Sequence, residues 1–217
     1  MLAFRRSTGE ELDVADDASF TMRRVVAACR VGRFAGTVPA ASFDELRTAI
    51  EQASSVDPPA HEGPWTADGG TESLTVGDTV VEVDPYEEPA GPWGALVAAC
   101  RALLDDLTQQ PSGAVELEVT ADPLAARLRQ VGDEPAPADL AGATVEAYLM
   151  GADSSTLGSW SATIESPPAA GAVGWELDLG LGAAGFTPAD GASCEVTVAL
   201  TINDPFPFAA IVSASAP

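Results

Sequence analysis

His61 is the single histidine of the chain, and it lies in a loop that reads Asp57-Pro58-Pro59-Ala60-His61-Glu62-Gly63-Pro64-Trp65. A Ser/His/Asp or Cys/His mechanism would have to use this imidazole, the side chain whose ordinary pKa lies nearest neutrality. Glu62 supplies an adjacent carboxylate. No G-x-S-x-G elbow and no local cysteine signature accompanies the pair, so an ordinary loop histidine is the stronger reading. Trp65, in the same Pro/Gly-rich stretch, reads either as a binding anchor for a partner or as an aromatic folded back on a sheet.

Carboxylates offer other chemistry. Asp16-Asp17, Asp84 with Glu87-Glu88, and Asp105-Asp106 could hold calcium or pair as general acid and base. No D-x-D-x-D-G loop is present, and adjacent acids arise by chance in so acidic a chain, so these read as solvated surface. Cys29, Cys100 and Cys194 lack metal-ligand spacing and read as small apolar core residues. Gly180, Gly182 and Gly185 match G-x-G-x-x-G after a strand pattern, yet Phe186-Thr187-Pro188 starts no helix to face a pyrophosphate. No metal and no cofactor is expected.

Charge narrows the partners. All ten basic residues are arginine, none lies beyond Arg129, and 33 acids bring the formal net charge to -23. No basic stripe exists for a nucleic-acid backbone or an anionic membrane, so a protein partner with a basic or apolar surface is expected. The start MLAFRRSTGEELD shows no signal-peptide pattern, no 18-residue apolar run occurs, and the scattered cysteines suit a reducing compartment. The expected location is cytoplasmic; the oligomeric state stays open.

The elements that must position these residues fall into two halves. In the first, residues 2–6, 19–28 and 30–39 read as strands, with turns near Gly9 and Gly32. A helix follows, with Ser42 and Glu45 as a capping box and Phe43, Leu46, Ile50 and Ala53 as its buried stripe. After loop 57–70, strands 72–76 and 79–83 are joined by Gly77-Asp78, a tight hairpin signal. Pro92 opens a second helix whose apolar face is Trp93, Leu96, Val97, Cys100, Leu103, Leu104 and Leu107, with Arg101 and Asp105 four apart on the other side. Pro111-Ser112-Gly113 reads as a domain boundary. Beyond it the period becomes two: 115–119, 124–128, 145–150, 160–164, 175–181, 194–202 and 206–214 read as strands, with Trp160 and Trp175 facing inward. The expectation is an α+β domain over 1–110, an antiparallel sheet with two helices, followed by an all-β immunoglobulin-like sandwich over 114–217.

Gly32-Arg33-Phe34-Ala35-Gly36, followed by the capped helix through Ser54, two short strands and a Leu-rich helix, resembles emfourin-like protein inhibitors of metalloproteases over residues 19–108. The resemblance implies that Phe34, Ala35 and Gly36 lie near an inhibitory edge. With no assembled catalytic constellation, the chain reads first as a non-catalytic protein-binding or accessory/assembly protein. The alternatives are a proteinaceous protease inhibitor, acting through Phe34 or Trp65, and an enzyme using His61 and nearby acids. The candidate binding residues are therefore Phe34, Ala35, Gly36, His61, Glu62 and Trp65.

Overall fold

Alternation of apolar and polar residues along the chain produces a mostly antiparallel β structure with two helices. The computed structural model describes residues 1–27, 30–59, 70–85, 90–121, 124–136, 140–151, 155–181, 194–202 and 208–216. They divide into two compact units, the first made of Met1–Arg24 and Phe34–Gln110, the second of Val25–Arg33 and Pro111–Pro217.

In the first unit, β1 (Leu2–Arg6), β2 (Glu11–Val14) and β3 (Ser19–Arg24) form a meander. The register sets Phe4 opposite Leu12 and Leu12 opposite Met22, and all three are buried, so one face is continuous and apolar. Strand β4 (Val26–Ala27) belongs to the second unit, and β5 (Arg30–Thr37) is divided between the two at Arg33. The expected single strand over 19–28 is thus broken at Val25, which is buried in the second unit's core, and β3 and β4 pair in different sheets.

Helix α1 (Ala40–Ser54) starts two residues before the predicted cap. Pro39 is its N-cap and its carbonyl accepts the Phe43 N–H, so Ser42 lies inside the first turn and makes no capping hydrogen bond. Leu46 and Ala53 are buried and Phe43 and Ile50 half-buried, which is the predicted stripe. Strands β6 (Glu72–Val76) and β7 (Thr79–Val83) form the predicted hairpin: Val76 faces Thr79 across Gly77-Asp78, and Gly77 takes the positive φ of 58° such a turn needs. Strand β6 also pairs with β1. Helix α2 (Gly91–Asp106) carries Pro92 in its first turn, buries the predicted apolar face and packs on α1. A 3-10 turn, Leu107–Gln109, ends it.

The second unit has two sheets. Strand β8 (Pro111–Ala121) begins at the proline predicted to mark a linker, so Pro111-Ser112-Gly113 is strand. It pairs with β9 (Leu124–Val131), which pairs with β12 (Glu176–Asp178). The other sheet has the order β11-β10-β13-β14-β4, built from β10 (Thr144–Gly151), β11 (Thr156–Thr163), β13 (Cys194–Ile202) and β14 (Phe208–Ala216). Strand β4 joins this sheet in parallel with β14. Inward residues of both sheets, among them Val115, Leu117, Ala126, Leu128, Val145 and Ala147, share one buried cluster. Gly32, predicted in a turn, lies within β5 at φ 135°; a Cβ there would stand 2.6 Å from the Gly113 carbonyl oxygen, so only glycine fits the approach. Among the described residues, no helix is long and apolar enough to cross a membrane.

Candidate functional site

In the second unit, β11 and β12 are end strands of their sheets: β11 pairs only with β10, and β12 only with β9, among the described residues. Strand alternation decides what each presents. Ala147 faces Trp160 and Val145 faces Ala162 across the β10–β11 ladder; Val145 and Ala147 are buried, so Trp160 and Ala162 share the inward side. Trp160, Trp175, Leu177 and Leu179 are partly buried and pack on the core cluster, as expected for inward positions. The two end strands leave an open cleft of about 150 Å³, lined by Val145, Trp160, Ala162, Ile164, Leu177 and Leu179 and rimmed by Thr163, Glu165, Ser166 and Asp178.

Its lining combines an apolar floor, which suits a hydrophobic group, with carboxylates at the rim, which suit a cation. Asp178 accepts the Gly180 N–H at 2.7 Å, which sets its position at the rim. On the outward face of β10, the Tyr148 hydroxyl donates to Glu146 at 2.8 Å, and that bond with the nearby negative charge raises the Tyr148 pKa. Among the described residues no group of three or more His, Cys, Asp or Glu side chains could hold a metal ion.

The first unit holds a second cavity, of about 190 Å³, between α1 and the ends of β1, β2 and β6, lined chiefly by Leu2, Val14, Phe43, Leu46, Ile50 and Val76. The Met1 ammonium and Asp16 meet at 2.6 Å at its mouth. This unit also carries a buried ion-pair network that the sequence reading missed. Glu72 accepts from Arg6 Nε at 2.7 Å and from Arg101 Nη2 at 2.8 Å; Glu10 accepts from Arg6 Nη1 at 2.9 Å. Arg24 lies 3.4 Å from Glu10 and 2.7 Å from Asp105, and donates to the Leu104 carbonyl. The predicted Arg101–Asp105 pair along α2 is replaced by these contacts, because each side chain finds a cross-element partner. A signal was available: Arg6 follows Leu2 and Phe4 at alternate positions of β1, and Glu72 precedes Leu74 in the same phase of β6, so both are charges on an inward face. Burial alone lowers the Arg6 pKa, but the hydrogen bond and charge of Glu10, with those of Glu72, outweigh it and leave it raised.

Of the predicted site residues that are described, Phe34, Ala35 and Gly36 line neither cavity. Phe34 is buried, 1% exposed, so its ring belongs to the core and presents no contact surface. Ala35 and Gly36 are exposed on β5. The backbone there is already occupied: the Ala35 N–H donates to the Gln110 carbonyl, and the Gln110 side-chain amide both accepts from the Thr37 N–H and donates to the Thr37 carbonyl. Gln110 thus bonds the backbone on both sides of Gly36. His61, Glu62 and Trp65 lie outside the described residues, as do Cys29, Glu87, Glu88, Gly182 and Gly185. Asp17 serves a local turn: the hydroxyl and backbone N–H of Ser19 donate to it and lower its pKa. The Cys100 thiol is buried, and burial with the charge of Glu72 pushes its pKa to about 12.

Other arginines are engaged by carboxylates as well. Arg5 binds Asp13 in a fork at 2.7 and 2.8 Å. In the second unit, Arg30 and Arg129 both bind Glu116, at 3.0 and 2.7 Å, and Arg127 meets Glu176 at 3.3 Å. No protein-family model, curated protein or solved structure matches the chain.

Proposed function

We propose that the chain is a non-catalytic binding protein, an accessory or assembly component, and that a protein partner with a basic and apolar surface seats on the open side of the second unit. The observation that carries this is the cleft between β11 and β12, where a half-buried tryptophan and two leucines lie beneath Glu165 and Asp178. A tryptophan in an apolar cleft with a charged rim is the composition of an interface anchor point. The charge balance points the same way: most of the arginines meet a carboxylate within the fold, while 33 acids give a net charge of -23, which favours encounter with a cationic surface.

We read the two compact units as the protein's two domains and the second as an immunoglobulin-like sandwich. What supports this reading is the strand order β11-β10-β13-β14, in which β10, β13 and β14 would correspond to strands C, F and G of that fold, with β11 beside C. The unpaired Cys100 thiol suits a reducing cytoplasm.

The test is affinity capture with the full chain as bait beside Glu165→Arg and Trp160→Ala variants, each checked for folding by its thermal melt. The reading expects one stoichiometric partner, held by the wild type and weakened about tenfold or more by either substitution. A partner that ignores both substitutions, or no stoichiometric partner at all, overturns it.

A further inference from the structure

Four strands end the sheets among the described residues, and three of them carry features that blunt an edge. Strand β4 has two residues, β12 has three and bears Glu176 and Asp178, and β7 carries the exposed Glu82. Strand β11 differs: its eight residues, Thr-Leu-Gly-Ser-Trp-Ser-Ala-Thr, include no charge and no proline. The ladder to β10 is disturbed only between Leu149 and Met150, so residues 158–163 form a regular edge. An uncharged edge of this length is a template for another strand.

We infer that β11 accepts an extended segment of a partner protein as an added antiparallel or parallel strand, with apolar side chains alternating with lysine or arginine. This rests on the reading of the open side as the binding face and specifies how that face is used. The alternation follows from the register. Strand β11 turns Trp160 and Ala162 inward, so every second residue of an added strand would point into the cleft toward Leu177 and Leu179. A cavity near 150 Å³ lined by aliphatic and aromatic groups has room for a benzene-sized group, enough for one such side chain to enter. The intervening residues would lie beside Ser159, Ser161 and Thr163, all exposed. On that outer face Glu146 stands opposite Ser161 in the β10 register, and Glu165 and Asp178 rim the end near Thr163, so cations are the complementary choice. A second copy of this chain is the poorer occupant, because its net charge of -23 repels an identical molecule and its β11 brings no cation to the rim.

The experiment measures hydrogen exchange of the full chain with two synthetic peptides of identical composition. One alternates lysine and valine over eight residues; the other places four lysines before four valines. Strand addition predicts that the alternating peptide slows exchange of β11 amides about tenfold, that the block peptide does not, and that Ser161→Lys, a change on the exposed face, abolishes the protection. Equal protection by both peptides, or protection confined to other segments, overturns the inference. So does a self-associating chain, seen by sedimentation, whose β11 amides are protected without peptide. A partner from the capture experiment that responds to Trp160→Ala yet leaves β11 exchange unchanged removes strand addition while the binding face stands.

Discussion

Replacing Glu72 with alanine removes the carboxylate that holds two arginines in the first unit. The Glu72 side chain is 4% exposed, and its two oxygens each meet a guanidinium, Arg6 at 2.7 Å and Arg101 at 2.8 Å. Breaking a buried ion pair from one side costs about 3–5 kcal/mol, because the charges left behind are uncompensated. Two features place this case at the lower end. Arg6 and Arg101 are 27% and 20% exposed, so water recovers part of their solvation, and Glu10 still binds Arg6 at 2.9 Å. The expected loss is about 3 kcal/mol, or a fall in melting temperature of roughly 6–12 °C for a chain of this size. Both described helices lie in the first unit, so urea unfolding followed by helical circular dichroism reads the change where it occurs. Glu72→Gln, which keeps the shape and one acceptor, should lose about half as much. A Glu72→Ala variant within about 1 kcal/mol of wild type would refute the network as a source of stability, since that is the range of exposed pairs.

Glu116 gives the second unit a pH signature. Burial raises its pKa, but hydrogen bonds and charge from Arg129 and Arg30 outweigh that and hold it below the ordinary carboxylate value. A depressed folded pKa means the stabilisation is fully present above the unfolded value near 4.3 and is lost as pH falls through the lower folded value. Glu116→Gln should therefore be less stable at neutral pH and converge with wild type in acid; parallel stability curves would contradict this. With the Cys100 pKa near 12, only on the order of one thiol in ten thousand is ionised at pH 8. Iodoacetamide should leave Cys100 unmodified in the folded chain and label it in urea, as read by peptide mass; labelling of the folded chain would show that the helix face is open.

Elements governed by neighbours in sequence were legible, and those governed by distant partners were not. The β6–β7 hairpin follows from Gly77-Asp78 between two apolar runs, and α2 from Pro92 and a continuous apolar stripe, because both signals are local. Strand β13 is bounded as its alternation predicts. The break at Val25 was hidden, since residues 19–28 keep strand-like composition through it and only the parallel pairing of β4 with β14 separates them. Strand β11 starts four residues before its predicted beginning because its first residues are small and polar, and the β10 ladder supplies the order that composition does not. Strand β12 is shorter than the alternation over 175–181 suggests, because its ladder to β9 covers only Glu176–Asp178.

The cleft shows the same division. Trp160, Leu177 and Leu179 were legible as inward positions, but that they lie at an open side depends on which strands end the two sheets, a property of non-local order. Phe34 was placed near an inhibitory edge by the resemblance of Gly32-Arg33-Phe34-Ala35-Gly36 to emfourin-like inhibitors, whereas β5 runs through it and its side chain is buried.

The most direct test of the binding face is hydroxyl-radical footprinting of the full chain with its captured partner, read at side chains of both cavities. Binding at the cleft should reduce oxidation of Trp160, Leu177 and Leu179 and leave oxidation of Phe43 and Ile50 in the first unit unchanged. Protection of Phe43 and Ile50 with Trp160 unchanged would place the partner elsewhere and contradict it.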